Sequence, residues 1–481
     1  MKNDSFMTKS KELTCWGILA LMVLFFFLID CPENVYNAIM DNDTILTISL
    51  ISAGISIMTL AFLLLTAVIA YTYKPLEPMS EEKLPGCTVI VPAYNEGEHV
   101  AETIQSLLLS NYPAERLEII AINDGSKDDT WEWIKYAASK SHGLVKAINL
   151  IQNGGKKHAL YVGIKEAKHD FIVTVDSDSI VDRNALRNMV APFADEKVGG
   201  VAGNIRVKNL EQGFIPLMLD IGFVFGFEFM RCAQSMVGSV FCTPGALSAY
   251  RKSAIMPCLD EWLNQTFLGV PSHIGEDRAI TSLLLCRDYK VVFQSNAVAD
   301  TCVPDNYPQL CKMLLRWTRS DFRENLVMSK FVYRHYRWNF SWVMLQINLM
   351  AQILGILLPV IFVPLFFYTL YVFADNMFYM LYSSCMLTFV WSGISAIIYA
   401  KRYSPIKSVW AFVYGLYGTF ALSWICPYSF FTMRNSKWLT REKKSTPARH
   451  SSFRYLMPSL STIYAMPRKL WRNDKSRLNK D

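Results

Sequence analysis

The sequence predicts an α/β domain with a mostly parallel sheet, inserted between N- and C-terminal transmembrane helices in a multi-pass membrane protein. Three observations predict it. Apolar residues crowd both ends of the 481-residue chain, residues 75–335 mix polar and apolar types, and within that stretch β-rich runs alternate with helical ones. A hydrophobic content of 52% is too high for a purely soluble protein.

Two apolar runs open the chain, residues 13–29 and 44–73, each long enough for the ~20 residues a bilayer span needs. A cleaved signal sequence is the competing reading of the first run, but Asp30, Cys31, Pro32 and Glu33 follow it where small residues would mark cleavage. Lys2, Lys9 and Lys11 precede the first run, whereas the loop between the runs carries Asp30, Glu33, Asp41 and Asp43 with no Lys or Arg. By the positive-inside rule the N-terminus is cytoplasmic, and two crossings return the chain to the cytoplasm at Lys74.

The eleven cysteines form no CxxC pair and no Cys/His spacing suited to zinc, so reduced thiols are expected. Much of the formal charge of +7 comes from the tail beyond Arg434. Next to a membrane segment such a tail reads as facing anionic lipid headgroups, with no nucleic-acid partner.

From Cys87 the chain reads CTVIVPAYNE, a helix over 99–109, LEIIAINDGS, a helix from Asp128, and DFIVTVDSD. These are βαβ units, and open α/β sheets bind ligands at the C-terminal ends of their strands. Those ends carry Tyr94-Asn95-Glu96, Asp124-Gly125-Ser126 and Asp176-Ser177-Asp178. Any one of them suits an ordinary turn or helix cap; three acidic tips on consecutive strands point to a site. On an extended strand Asp176 and Asp178 share a face. Paired carboxylates suit Mg²⁺ or Mn²⁺, which bridges the phosphates of a nucleotide diphosphate. Lys156 and Lys157, in NGGKKHA, stand either near that nucleotide or in a solvated loop.

In order and spacing, VPAYNE, NDGS, GGKKHA and DSDS resemble the nucleotide-binding half of the GT-A glycosyltransferase fold. FCTPGALSAYR, GEDR and LLRWTRSDFREN resemble the acceptor half of the hyaluronan synthases and nodulation chitin-oligosaccharide (N-acetylglucosaminyl) synthases, processive family 2 glycosyltransferases. The resemblance implies that Tyr94, Glu96 and Asp124 hold the uridine of a UDP-sugar donor and that Lys156 and Lys157 approach its base and diphosphate. It makes Asp178 the principal metal ligand beside Asp176, and Asp277 the general base. It places Cys242, Glu276, Arg316 and Trp317 along the acceptor, a growing polysaccharide.

The chemistry needs a base, because the acceptor hydroxyl loses its proton as it attacks the anomeric carbon. With no covalent nucleophile, an α-linked donor gives a β-linked product. The competing reading of Asp277 is a capping residue ahead of AITSLLL. The chain departs from the family's QxxRW, with Met313 in place of the glutamine, and Asn123 replaces the first Asp of DDGS.

Residues 313–328 predict an amphipathic helix, with Arg316, Arg319 and Arg323 on one face and Leu315, Phe322 and Leu326 on another, lying at the membrane interface. The apolar segment 214–230 contains Asp220 and Glu228, and a crossing there would separate Asp178 from Asp277; an interfacial helix is expected. Further spans are expected at 342–373 and 377–400, returning to the basic loop of Lys401, Arg402 and Lys407. One more crossing at 409–431 would leave the basic tail outside. Gly415, Gly418 and Pro427 instead predict a hairpin or two short broken helices.

The run LYGTFALSWICPYSFFTMRNSKWLTR resembles the final hairpin and WGTR loop of hyaluronan synthases, with Leu439 for the glycine. By that likeness Trp438 and Arg441 cover the diphosphate, with Trp438 also at the acceptor; interface anchoring is their other reading. The expected divisions are 1–74, 75–312, 313–340, 341–434 and 435–481. The expected activity is polymerisation of UDP-GlcNAc, with or without UDP-glucuronate, and export across the plasma membrane. A chitin-type or glucan polymer and a single lipid-linked sugar are the alternatives.

Overall fold

The computed structural model of the chain describes residues 2–29, 31–334, 339–372 and 374–436. Trp438, Leu439 and Arg441 lie outside the described residues. Ten strands are formed: β1 (Cys87–Ala93), β2 (Leu117–Asp124), β3 (Val145–Leu150), β4 (Phe171–Thr174), β5 (Ser179–Val181), β6 (Val198–Val207), β7 (Ser248–Arg251), β8 (Thr266–Phe267), β9 (Val270–Pro271) and β10 (Lys290–Thr301). Eight make one sheet in the order β3-β2-β1-β4-β7-β6-β10-β5, while β8 and β9 pair as a separate hairpin. Strands β3 to β4 run parallel, with Val89 opposite both Ile119 and Val173. Strand β7 is antiparallel between β4 and β6.

Strands β1 and β2 are buried along their whole length, as expected for apolar runs covered by helices on both faces. Alternate residues serve two cores. Val89 and Val91 pack with Ile104 and Ile134 on one face, from helices His99–Leu108 and Thr130–Lys140. Ile90, Ile120 and Ile122 pack with Leu160 and Ile164 of helix Lys156–Glu166 on the other. The polar strand ends are therefore held rigidly at one edge of a two-sided core.

Among the described residues four helices are long and apolar enough to cross a membrane, with candidate spans Ser10–Phe27, Ile45–Thr72, Phe340–Val372 and Ala374–Arg402. A short helix, Glu33–Met40, lies in the loop between the first two; the sequence reading did not expect it. The last apolar stretch forms helices Trp410–Ala421 and Ile425–Phe431, related by a 48° bend. Two short helices joined at a break are one of the two forms expected from the sequence. The break lies at Leu422–Trp424, away from the glycines thought to cause it. Gly415 packs against Ser392, where a Cβ would stand 1.9 Å from Oγ. Pro427 sits in the first turn of the second helix, where a missing N–H costs little.

Segment 214–230 divides into helix Phe214–Phe223 and a π-helical turn Val224–Met230. Its two acids are held by protein partners. Asp220 accepts a hydrogen bond from Tyr399 at 2.7 Å, and buried Glu228 accepts from Asn204 of β6 and from Arg402, each at 3.0 Å, and from Tyr403. The segment is wedged between the sheet and the end of helix Met377–Arg402.

The helix expected over 313–328 runs from Tyr307 to Val332, its first turn capped by the Asn306 side chain. Its arginine face is corrected too. Arg319 and Arg323 are 2% exposed, because each finds protein acceptors: Thr432 for Arg319, Ser272 Oγ and the Ile274 carbonyl for Arg323.

Candidate active site

The tips of β1 and β2 are tied together. Asn95 adopts φ +53°, which asparagine tolerates better than most residues. Its side chain accepts from Lys127 N at 2.9 Å, its own N–H reaches Ser126 Oγ at 3.0 Å, and Glu96 N–H reaches Thr130 Oγ1 at 2.8 Å. Tyr94 is half-buried and Glu96 buried. Asp124 is buried and accepts from Gly154 N at 2.9 Å; burial pushes its pKa up, against hydrogen bonds from Gly154 and Gly155.

Lys156 and Lys157 are not in a solvated loop: they open helix Lys156–Glu166. Lys156 Nζ stands 2.5 Å from Asp176 Oδ1 and 3.0 Å from Glu276 Oε1. Burial disfavours its charge, but Asp176, Glu276 and Asp277 outweigh that and raise its pKa. Lys157 donates to the Ser272 carbonyl at 3.2 Å and lies 5.4 Å over the Trp262 ring. Burial lowers its pKa to about 8, against the pull of Glu324 and Glu276.

The pair Asp176 and Asp178 does not sit on an extended strand. Strand β4 ends at Thr174, and Ser177 and Asp178 form a turn before β5, so shared-face spacing is not what aims the two carboxylates. Asp176 meets Lys156, while Asp178 is half-buried. Among the described residues no group of three His, Cys, Asp or Glu forms a metal cage. Asp176, which already draws in an ammonium, and Asp178 beside it fit a hard cation completed by phosphate or water oxygens.

Asp277 is the second residue of helix Glu276–Cys286. Gly275 precedes it at φ +77°, where a Cβ would lie 1.8 Å from Ser320 Oγ. Asp277 Oδ1 accepts from Arg278 N at 2.8 Å and Oδ2 from Cys242 Sγ at 3.5 Å. Gly275 holds the N-cap position, so Asp277 is not the capping residue of its helix. Burial raises its pKa and the Glu276 carboxylate adds to that, while Lys156 and Arg278 oppose. Arg278 pairs with Asp321 and donates to Asn325 at 3.1 Å and to Gln352 of the Phe340–Val372 helix at 2.9 Å.

Lys156, Gly245, Trp262, Glu276 and Asp277 line a common cavity. The structure thus brings Lys156, Asp176, Cys242, Glu276 and Asp277 together. Trp317 is 39% exposed, its ring 6.2 Å from that of Phe223, and Arg316 precedes it on the same helix. Met313 is buried in the apolar core with Leu310 and Leu315, so the family's glutamine position is a packing position here. Sequence reasoning missed Arg231, whose guanidinium lies 3.8 Å over the Phe227 ring. Burial lowers its pKa, opposed by Cys242 and Asp277. Its one visible signal was a cation closing an apolar run.

The model for Glycosyl transferase family 2 matches residues 88–258. Residues 88–258 match a family 2 glycosyltransferase domain. The chain is similar to hyaluronan synthase of Streptococcus pyogenes, 28% identical over 395 residues that cover 80% of this chain and 90% of the relative. It is also similar to an N-acetylglucosaminyltransferase of Azorhizobium caulinodans, 35% identical over 244 residues, 50% of this chain and 60% of the relative. A mannosyltransferase from Pyrobaculum calidifontis, solved with GDP-Man and Mn²⁺, superposes with a TM-score of 0.51 at 18% identity, over 82% of this chain and 98% of that one. The glycosyltransferase therefore has the GT-A fold, with apolar helices before and after it.

Proposed function

We infer that this glycosyltransferase is a processive, inverting enzyme that polymerises a UDP-sugar at the cytoplasmic face and passes the β-linked polysaccharide through its own helices across the plasma membrane. One observation carries the reading: Asp277 stands between the Lys156–Asp176 pair and a helix that presents Trp317 and is strapped, through Arg278, to an apolar helix long enough to span a bilayer. A base lies between a nucleotide side and a membrane side.

Tyr94, Glu96 and Asp124 hold the uridine; Lys156 and Lys157 serve the diphosphate. The acceptor hydroxyl attacks the anomeric carbon, the Asp277 carboxylate takes its proton, and UDP departs from the opposite face. A raised pKa suits a carboxylate that must accept a proton. Asp176 and Asp178 would hold Mg²⁺ or Mn²⁺, which when bound neutralises the departing diphosphate. Trp317 offers an indole face to the acceptor sugar, with Cys242, Glu276 and Arg316 around it. Likeness to the two sequence relatives favours UDP-GlcNAc, with UDP-glucuronate as a co-donor for a hyaluronan product.

The test uses the purified full chain in detergent with radiolabelled UDP-GlcNAc, with and without UDP-glucuronate. Long polymer dependent on UDP-GlcNAc is expected. A single lipid-linked sugar would reject processivity, and polymer from UDP-glucose alone would reject the donor.

A further inference from the structure

The motif FCTPGALSAYR supplies more than Cys242. Its Thr243, Ser248 and Tyr250 join Thr174, at the end of β4, and Thr281, one turn beyond Asp277, in a continuous chain of hydroxyls. Thr174 Oγ1 lies 2.7 Å from Ser248 Oγ, Ser248 Oγ 3.2 Å from Tyr250 OH, and Tyr250 OH 2.7 Å from Thr243 Oγ1. Thr243 Oγ1 lies 2.9 Å from Thr281 Oγ1, and Thr281 donates to the backbone carbonyl of Asp277 at 2.7 Å. None of the five is more than 5% exposed.

The terminal carbonyl can only accept. With Thr281 donating to it, the remaining bonds run one way: Thr243 donates to Thr281, Tyr250 to Thr243, Ser248 to Tyr250 and Thr174 to Ser248. Thr243 Oγ1 also lies 3.4 Å from the same carbonyl. Thr281 Oγ1 takes a second bond from Thr243 N at 3.2 Å, filling its remaining lone pair. A chain aligned in one sense polarises along its length, and a gap would leave buried hydroxyls unpaired. It starts two residues before Asp176 and ends on Asp277, so it spans the distance between the diphosphate side of the site and the base.

The geometry points to Thr243, Tyr250 and Thr281 as positioning residues that set where the Asp277 carboxylate stands relative to the donor. The inference rests on Asp277 being the base. Moving a base by a fraction of an ångström slows proton transfer and leaves nucleotide binding intact.

In the full-length protein, Tyr250→Phe and Thr281→Val should each lower kcat on the order of 10-fold, with UDP affinity and donor KM within about 2-fold of the parent. Thr281→Ser, which keeps the hydroxyl, should restore kcat to within about 3-fold. Tyr250→Phe keeps the whole ring and decides the matter if Thr281→Val does not fold. Unchanged kcat in Tyr250→Phe beside an inactive Asp277→Asn would overturn the positioning role alone, as would no rescue by Thr281→Ser. Normal turnover by Asp277→Asn would overturn the base assignment and this inference with it.

Discussion

Asp277 carries a cost at the residue scale. Its folded pKa is raised by burial and by Glu276, so the stability it contributes is fully present below the unfolded value and is lost as pH rises through the folded one. Above that range the buried carboxyl therefore weakens the fold. Asp277→Asn should lose about 10²–10⁴-fold in kcat while its Tm stays at or above that of the parent. A kcat within 10-fold, or a clearly lower Tm, would contradict this.

Lys157 carries the opposite sign. With its folded pKa near 8 and the free value 10.5, the unfolded chain binds more protons between those limits, so stability rises as pH climbs from about 8 to 10.5. Thermal melts of Lys157→Met against the parent should show that rise missing in the variant. The sequence marked both residues but not these environments. Glu276 is adjacent, yet the partners that bury Lys157, Trp262 and Ser272, stand more than a hundred residues away.

At the scale of elements, the turn before helix Glu276–Cys286 depends on Gly275. Its left-handed backbone alone costs about 1–2 kcal/mol for an L side chain, and a Cβ would strike Ser320. Gly275→Ala should therefore lower Tm and turnover together, as read by thermal unfolding and by labelled-sugar incorporation. The strands were legible because CTVIVPA and LEIIAIND are unbroken apolar runs ending in polar tips, and the long apolar helices because their length and composition suffice. The 176–178 turn was not legible, since DSD reads equally as strand or turn. Nor was the inward face of Arg319 and Arg323: arginine spacing gives the stripe, while the acceptors at Thr432, Ser272 and Ile274 come from distant segments. Hydroxyls such as Thr243 and Tyr250 have no periodic signature, and only the fold aligns them.

For the whole molecule, orientation can be read with the protein's own thiols. Cys31 lies in the first loop and Cys286 and Cys302 in the glycosyltransferase part; all three are exposed. A membrane-impermeant maleimide applied to intact cells should label Cys31 and spare Cys286 and Cys302 until the cells are opened. The reverse pattern would invert the topology.

The Glu228 contacts bear on how this enzyme can be handled. Asn204 reaches this carboxylate from the sheet, and Arg402 and Tyr403 reach it from the far end of an apolar helix. A fragment cut to residues 75–335 would keep the acid and its Asn204 bond but lose Arg402, the cation that pairs with it among the described residues, and Tyr403. Such an excised fragment is expected to aggregate on detergent-free purification, whereas co-expression with residues 339–436 should recover soluble complex in detergent. The sheet and its apolar helices then behave as one unit, and any variant of the sheet must be judged with its helices attached.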